Sequence, residues 1–207
     1  MVATLVNVAF GVLIGAALLG AAFDRRSLAI VAVAAAASDL DAVAGLVHEG
    51  ATNTLFHTIW MPAVIGGVLY YDTTIRERSW LQERWGWWGV RVSWVALTVY
   101  VAAGIGADLF AGSGVNLLFP VYDQFLTVDG RFALTVEHER GARHAIVDLH
   151  RSLPGIETHG STRTVAVDSW IAPTDGDRRL RIVEAGWQVV VVGAATAVAT
   201  IRLRGER

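Results

Sequence analysis

The run VATLVNVAFGVLIGAALLGAAF, residues 2 to 23, contains no charged side chain and stops abruptly at Asp24, Arg25 and Arg26. A bilayer core takes roughly 20 mostly apolar residues per helix, so a stretch of this length reads as a membrane span. It is not alone. Apolar runs recur at about 27–46, 55–71, 88–111 and 185–203, which predicts five spans. No basic residue precedes the first run, which favours a retained helix over a cleaved leader. Composition agrees: 54% of the 207 residues are hydrophobic, 17% are charged, and the mean hydropathy is +0.46. Trp85, Trp87, Trp88 and Trp187 flank the last two runs, where interfacial aromatics belong.

The expected class is therefore a mainly α, polytopic membrane protein whose first partner is the lipid bilayer. Residues 1–114 form a four-helix transmembrane bundle, 115–183 a β-rich extracytoplasmic segment, and 184–207 a last transmembrane helix with a basic tail. All 17 basic residues are arginine. Arg25, Arg26, Arg76, Arg78, Arg84, Arg202, Arg204 and Arg207 fall on one side if the spans alternate, and the loop at 47–54 has no arginine. Arginine in short loops marks the cytoplasmic side, so the N-terminus is expected to be extracytoplasmic and the C-terminus cytoplasmic. The formal charge of −2, with no basic run, argues against nucleic-acid binding. There is no paired broken helix or internal repeat of the kind transporters use.

Five polar residues interrupt these runs at one common level. Asn7 begins the first span, Asp39 and Asp41 end the second, His57 begins the third, and Asp108 lies near the end of the fourth. Ionisable groups at membrane depth are costly and usually face a bundle interior or a wet cavity. The chain has no cysteine, so a metal here is held by His, Asp, Asn or backbone oxygen. Residues two apart on a regular helix point about 200° from one another. Asp39 and Asp41 therefore converge only if the helix ends or unwinds at Ser38 to Asp41. In that event Asp39, Asp41, His57 and Asp108 are candidate metal ligands, with Asp39 and Asp41 also candidate catalytic carboxylates. The bound ion is then a divalent metal, zinc or manganese, activating water against an ester or phosphoester. The plainer alternative leaves Asp39 and Asp41 solvated at the interface, His57 as an interfacial side chain, and Asn7 bonded to a neighbouring helix.

The segments VNVAFGVLIGAALLG, SDLD at 38–41, ATNTLFHT at 51–58, GIGADLF at 104–110 and VNLLFPVYDQFLTVDG at 115–130 together resemble the membrane-bound metal-dependent hydrolases (DUF457, YdjM-like), particularly their haloarchaeal members. The resemblance implies a metal site at one membrane face, built from a first-helix His, an Asp-x-Asp pair, a His-Arg-x-x-x-His motif and a late Asp. It also implies phosphoester substrates, lipid headgroups among them. Asp39 and Asp41 match the acidic pair, His57 the second His of its motif, and Asp108 the late Asp. Asn7 stands where the first His is expected, Thr52 and Asn53 stand for His-Arg, and Gly104 replaces a His four residues before the Asp. The remaining oxygen-rich set implies a weakly bound metal or none, which keeps a second reading: a non-catalytic binding or structural relative of that family.

In the outer segment, Asp129-Gly130 between two strand-like runs signals a hairpin, and HAIVDL and RTVAVDSWIA read as further strands. His48 reads as a loop residue, and His138, His144, His150 and His159 as surface side chains. No Gly-rich phosphate loop, serine nucleophile elbow or HExxH pair occurs.

Overall fold

A computed structural model describes residues 3–46, 51–110, 114–129, 132–137, 146–151, 155–165, 167, 182–183 and 185–205. Helix α1 spans Thr4–Leu19 and closes with a 3-10 turn, Gly20–Ala22. Asp24 then caps α2, Arg25–Ala37, by a reciprocal box: its carboxylate accepts from Ser27 N at 2.7 Å while Ser27 Oγ accepts from Asp24 N at 2.8 Å. This satisfies two of the backbone donors that every helix start leaves unpaired. The reversal between the first two spans is thus written in the sequence Asp-Arg-Arg-Ser.

Helices α1 and α2 meet through glycine. A Cβ placed on Gly11 would lie 2.7 Å from Ala35 Cβ and 2.9 Å from Val99 Cγ1, and one on Gly15 would lie 2.9 Å from Val31 Cγ1. Lipid tails are as apolar as the side chains they replace, so helices in membranes associate by close packing rather than by expelling water, and small residues permit it. The core built on this contact comprises Ala9, Val12, Ala16 and Leu19 of α1 with Val31 and Ala35 of α2, joined by Val92, Val95 and Val99. Helix α7, Gly186–Arg204, packs on α1 through Ala195 and leaves Val189, Val190 and Ile201 exposed.

Four helical stretches among the described residues are long and apolar enough to cross a bilayer: Thr4–Ala22, Arg25–Ala44, Trp80–Leu109 and Gly186–Arg204. Exposed Val33, Val64, Val68 and Val190 form the kind of apolar surface that water does not tolerate over a wide area. The chain is a candidate multi-span membrane protein.

The expected third run is helical from a later point: α4 is Trp60–Tyr70, followed by a π turn at Tyr71–Ile75. His57 precedes this helix instead of starting it, because residues 51–59 are held in irregular backbone by bonds to the outer segment, among them Ile59 N to Leu117 O at 2.8 Å. At the far end the Asp72 carboxylate accepts from Ser79 Oγ at 2.8 Å, Trp80 N at 2.9 Å and Leu81 N at 3.2 Å, capping α5, Trp80–Val99. The Ser79 hydroxyl, and then the Trp80 amide, hold Asp72 below the usual carboxylate range. Inside α5, Gly86 takes φ 64° and ψ −164°, a conformation that breaks the helix and suits glycine. The element continues as a π-helical segment, Tyr100–Ile105, and a last turn α6, Gly106–Leu109.

The outer segment also departs from expectation. Strand β1 (Leu126–Asp129) does not pair with β2 (Phe132–Glu137) around Asp129-Gly130. Instead β1 pairs antiparallel with β4 (Gly155–Thr158), and β2 with β3 (Ile146–Arg151). Asp-Gly is a local signal, and the partner strands lie further along the chain. Residues 163–165 of the expected strand RTVAVDSWIA form a turn and its end, and Val167 is not in a strand; the rest lies outside the described residues, as do His48, His138 and His144. His150 falls in β3, and exposed His159 pairs its Nε2 with Thr127 Oγ1 at 2.6 Å.

Gly11→Val tests the α1–α2 contact. Overpacking a close contact costs about 1–3 kcal/mol, so unfolding of the detergent-solubilised protein shifts to lower SDS fraction or temperature by that amount. An unchanged midpoint shows that the two helices do not rely on the approach at Gly11.

Candidate metal centre

The site begins where α2 tightens. Ser38–Leu40 forms a 3-10 turn, and α3, Asp41–Ala44, follows. Tightening from 3.6 to 3.0 residues per turn changes the angle between Asp39 and Asp41, and both side chains are buried, at 8% and 0% exposure. Gly104 makes room for the turn, since a Cβ there would lie 2.7 Å from Ser38 Oγ. The π segment around Gly104 matters in a second way. One extra residue in a helical turn rotates everything beyond it by about 100°, and Asp108 follows directly, fully buried.

His57 is the centre of the arrangement. Its Nδ1 lies 2.7 Å from Asp41 Oδ2, and its Nε2 lies 3.1 Å from Asp108 Oδ2. Asp41 Oδ2 also accepts from Thr54 N at 3.0 Å, and Asn7 Nδ2 donates to Asp39 Oδ1 at 3.3 Å. Asp39, His57 and Asp108 each offer a ligand atom, and the three atoms lie within 4.8 Å of one another. The structure thus brings Asp39, His57 and Asp108 together around one point and sets Asp41 on the opposite nitrogen of the imidazole.

The chemistry of this set suits a cation. Three buried carboxylates surround one imidazole, which supplies at most a single positive charge, and unbalanced buried charge is costly. A neutral ring that donates from Nδ1 to Asp41 turns a lone pair at Nε2 toward the Asp108 carboxylate. That contact is favourable only with a proton or a metal ion between them. Asn7 Oδ1, Asp39 Oδ2 and Asp41 Oδ1 are buried acceptors with no hydrogen-bond partner among the described residues. Ligand bonds of about 2.0–2.2 Å to nitrogen and oxygen need only a slight contraction of the observed spacing. The donor set fits a divalent ion such as manganese or zinc.

Several positioning residues give little signal in sequence. Tyr100 donates its hydroxyl to Phe56 O, pinning the residue before His57. Asn53 adopts φ 56°, in the left-handed region that Asn tolerates better than most residues. It donates from Nδ2 to Gly114 O at 3.0 Å and accepts at its carbonyl from Asn116 N at 3.0 Å. Asn116 Nδ2 in turn donates to Asp123 Oδ1 at 2.6 Å, and Thr162 donates to Asp123 through N at 3.0 Å and Oγ1 at 2.8 Å. Burial pushes the Asp123 carboxyl up, but these Thr162 and Asn116 bonds outweigh it and hold the group below its usual range. The outer segment therefore holds the loop that carries His57. Thr52 and Asn53 are both buried in that loop.

A carboxylate behind a ligating imidazole fixes its tautomer and raises its basicity, and losing it typically costs 10–100-fold in metal affinity. Asp41→Asn is expected to weaken manganese or zinc binding by about that factor without removing a ligand. His57→Ala is expected to abolish binding. Equal affinity of Asp41→Asn and wild type in isothermal titration would remove Asp41 from the site's support. In comparisons with known proteins, the chain matches no family model, no curated protein and no solved structure.

Proposed function

We propose that this protein is a membrane-embedded relative of the metal-dependent (phospho)ester hydrolases, with a divalent metal held by Asp39, His57 and Asp108. The observation that carries the reading is the convergence of the buried Asp39, His57 and Asp108 ligand atoms within 4.8 Å. These residues belong to the segments that resemble that family. When bound, such an ion supplies Lewis acidity that polarises a phosphoryl oxygen and makes water acidic. Asp41 holds the His57 ring through Nδ1, and Asn7 holds Asp39 through Nδ2. Asp39 Oδ2, without a hydrogen-bond partner among the described residues, is the carboxylate oxygen best placed to take a proton.

A second reading, a non-catalytic binding or structural relative, draws on burial. Asp41, His57 and Asp108 are all 0% exposed, so a phosphoester reaches them only if the cover of the site moves. Gly104, the position of a family His, lies against Ser38 and has no room for an imidazole.

Metal analysis on protein purified without chelator separates these readings when paired with a phosphodiester assay. Substoichiometric metal that rises on adding manganese or zinc is expected, with slow hydrolysis that is lost in His57→Ala and Asp108→Asn. Asn7→His is expected to raise metal occupancy, because it places an imidazole beside Asp39. Metal binding with no hydrolysis, or failure to bind either ion at millimolar concentration, would end the hydrolase reading and leave the non-catalytic one standing.

We also propose the orientation that arginine placement supports, with the metal cluster near the extracytoplasmic face. Reporter fusions at Gly50 and Gly160 are then extracytoplasmic, and those at Arg78 and after Arg207 cytoplasmic. A cytoplasmic signal at Gly160 inverts the arrangement.

A further inference from the structure

At the end of the bundle opposite the metal cluster, the start of α2 and the kinked start of α5 leave a cavity of about 400 Å³. Arg26 and Ile30 line one side, and Trp80, Trp85 and Trp88 the other. One cation at this apolar cleft is unused. Arg26 makes no side-chain hydrogen bond or ion pair among the described residues. Arg84, stacked 5.9 Å above the Trp85 ring, adds a second guanidinium beside one wall.

The cleft does not end there. A second cavity of about 400 Å³ shares Ile30 and Ser93 with the first and continues along α2, α4 and α5 past Ala34, Ile65 and Leu97. Its surface is almost wholly apolar. A cationic mouth, a belt of tryptophan, and a long apolar track behind them match one chemical class: an amphiphile with an anionic head and an acyl or isoprenoid chain.

We infer that this cleft binds one anionic phospholipid, its phosphate on Arg26 and its chain along the track toward Leu97. The Gly86 break builds the site. It turns the helical stretch before it, which carries Trp80 and Trp85, out of the line of the helix that carries Trp88. The edge-to-face contact of Trp80 and Trp85, 5.0 Å between ring centroids, fixes the wall. The headgroup end of this site lies at the opposite end of the helices from the metal cluster, while the far end of the track, lined by Leu40, Phe56 and Tyr100, comes up beside the cluster's supporting residues.

The test uses the full chain, delipidated in mild detergent and titrated with phosphatidylglycerol or phosphatidylcholine of matched chains, bound lipids being counted by native mass spectrometry. One phosphatidylglycerol is expected to bind at least about fivefold tighter than phosphatidylcholine, the effect of one basic residue at a lipid headgroup. Arg26→Gln is expected to erase that preference, Arg26→Lys to keep most of it, and Arg25→Gln, one residue away and outside the cavity lining, to keep all of it. Should Arg26→Gln fail to elute as folded protein, the wild-type lipid ratio and the Arg25→Gln control decide the matter. Equal affinity for the two lipids, an equal loss in Arg25→Gln, or a lipid-free dimer seated on the cleft overturns the assignment.

Discussion

His57 sits buried between two buried carboxylates, and the surrounding architecture is arranged to keep it there. An imidazole held at both nitrogens by Asp41 and Asp108 ties α3 to the end of the long α5–α6 element through a loop that is neither helix nor strand. Irregular backbone at membrane depth survives only where protein satisfies its polar groups. Here the satisfaction comes from outside the bundle: Asn53, Asn116 and Leu117 exchange main-chain bonds across the two segments, and Tyr100 closes the remaining carbonyl at Phe56. The segment that carries Asn116 and Leu117 is therefore part of the site's scaffold, even though none of its described residues joins the cluster of Asp39, His57 and Asp108.

The two helices that bring acids to His57 each lose regular α geometry shortly before delivering them. In α2 the change is a tightening, at Ser38–Leu40; in α5 it is a widening, at Tyr100–Ile105. The two distortions touch, because Gly104 of the widened turn lies against Ser38 of the tightened one. Without the missing Cβ neither distortion has space. Short 3-10 and π segments inside helices often mark functional positions, and here they redirect Asp39 and Asp108 toward a common point.

Hydropathy made much of this legible. The runs at 2–23, 27–46, 88–111 and 185–203 correspond to long apolar helices, and the polar residues that interrupt them mark the level of the cluster. The run at 55–71 misleads because Leu55, Phe56 and Ile59 are apolar, so periodicity does not reveal that their backbone is irregular. The strand pairing was hidden for a related reason: Asp129-Gly130 describes what a turn prefers locally, whereas β1 pairs with a strand beginning at Gly155. Asn53 and Asn116 carry no sequence pattern at all. Their work is done through left-handed backbone at Asn53 and through main-chain bonds between distant segments, which no spacing rule encodes.

Asn7 brings an amide to the cluster, and an amide has two ends with opposite roles. Its Nδ2 donates to Asp39, which stabilises the carboxylate when no cation is near, and its Oδ1 is a buried acceptor without a partner among the described residues. Turning the amide over exchanges the two, so the same residue can present an oxygen beside a cation. With an ion bound, the donors would then be two carboxylates, one amide oxygen and one imidazole, a set better matched to manganese than to zinc.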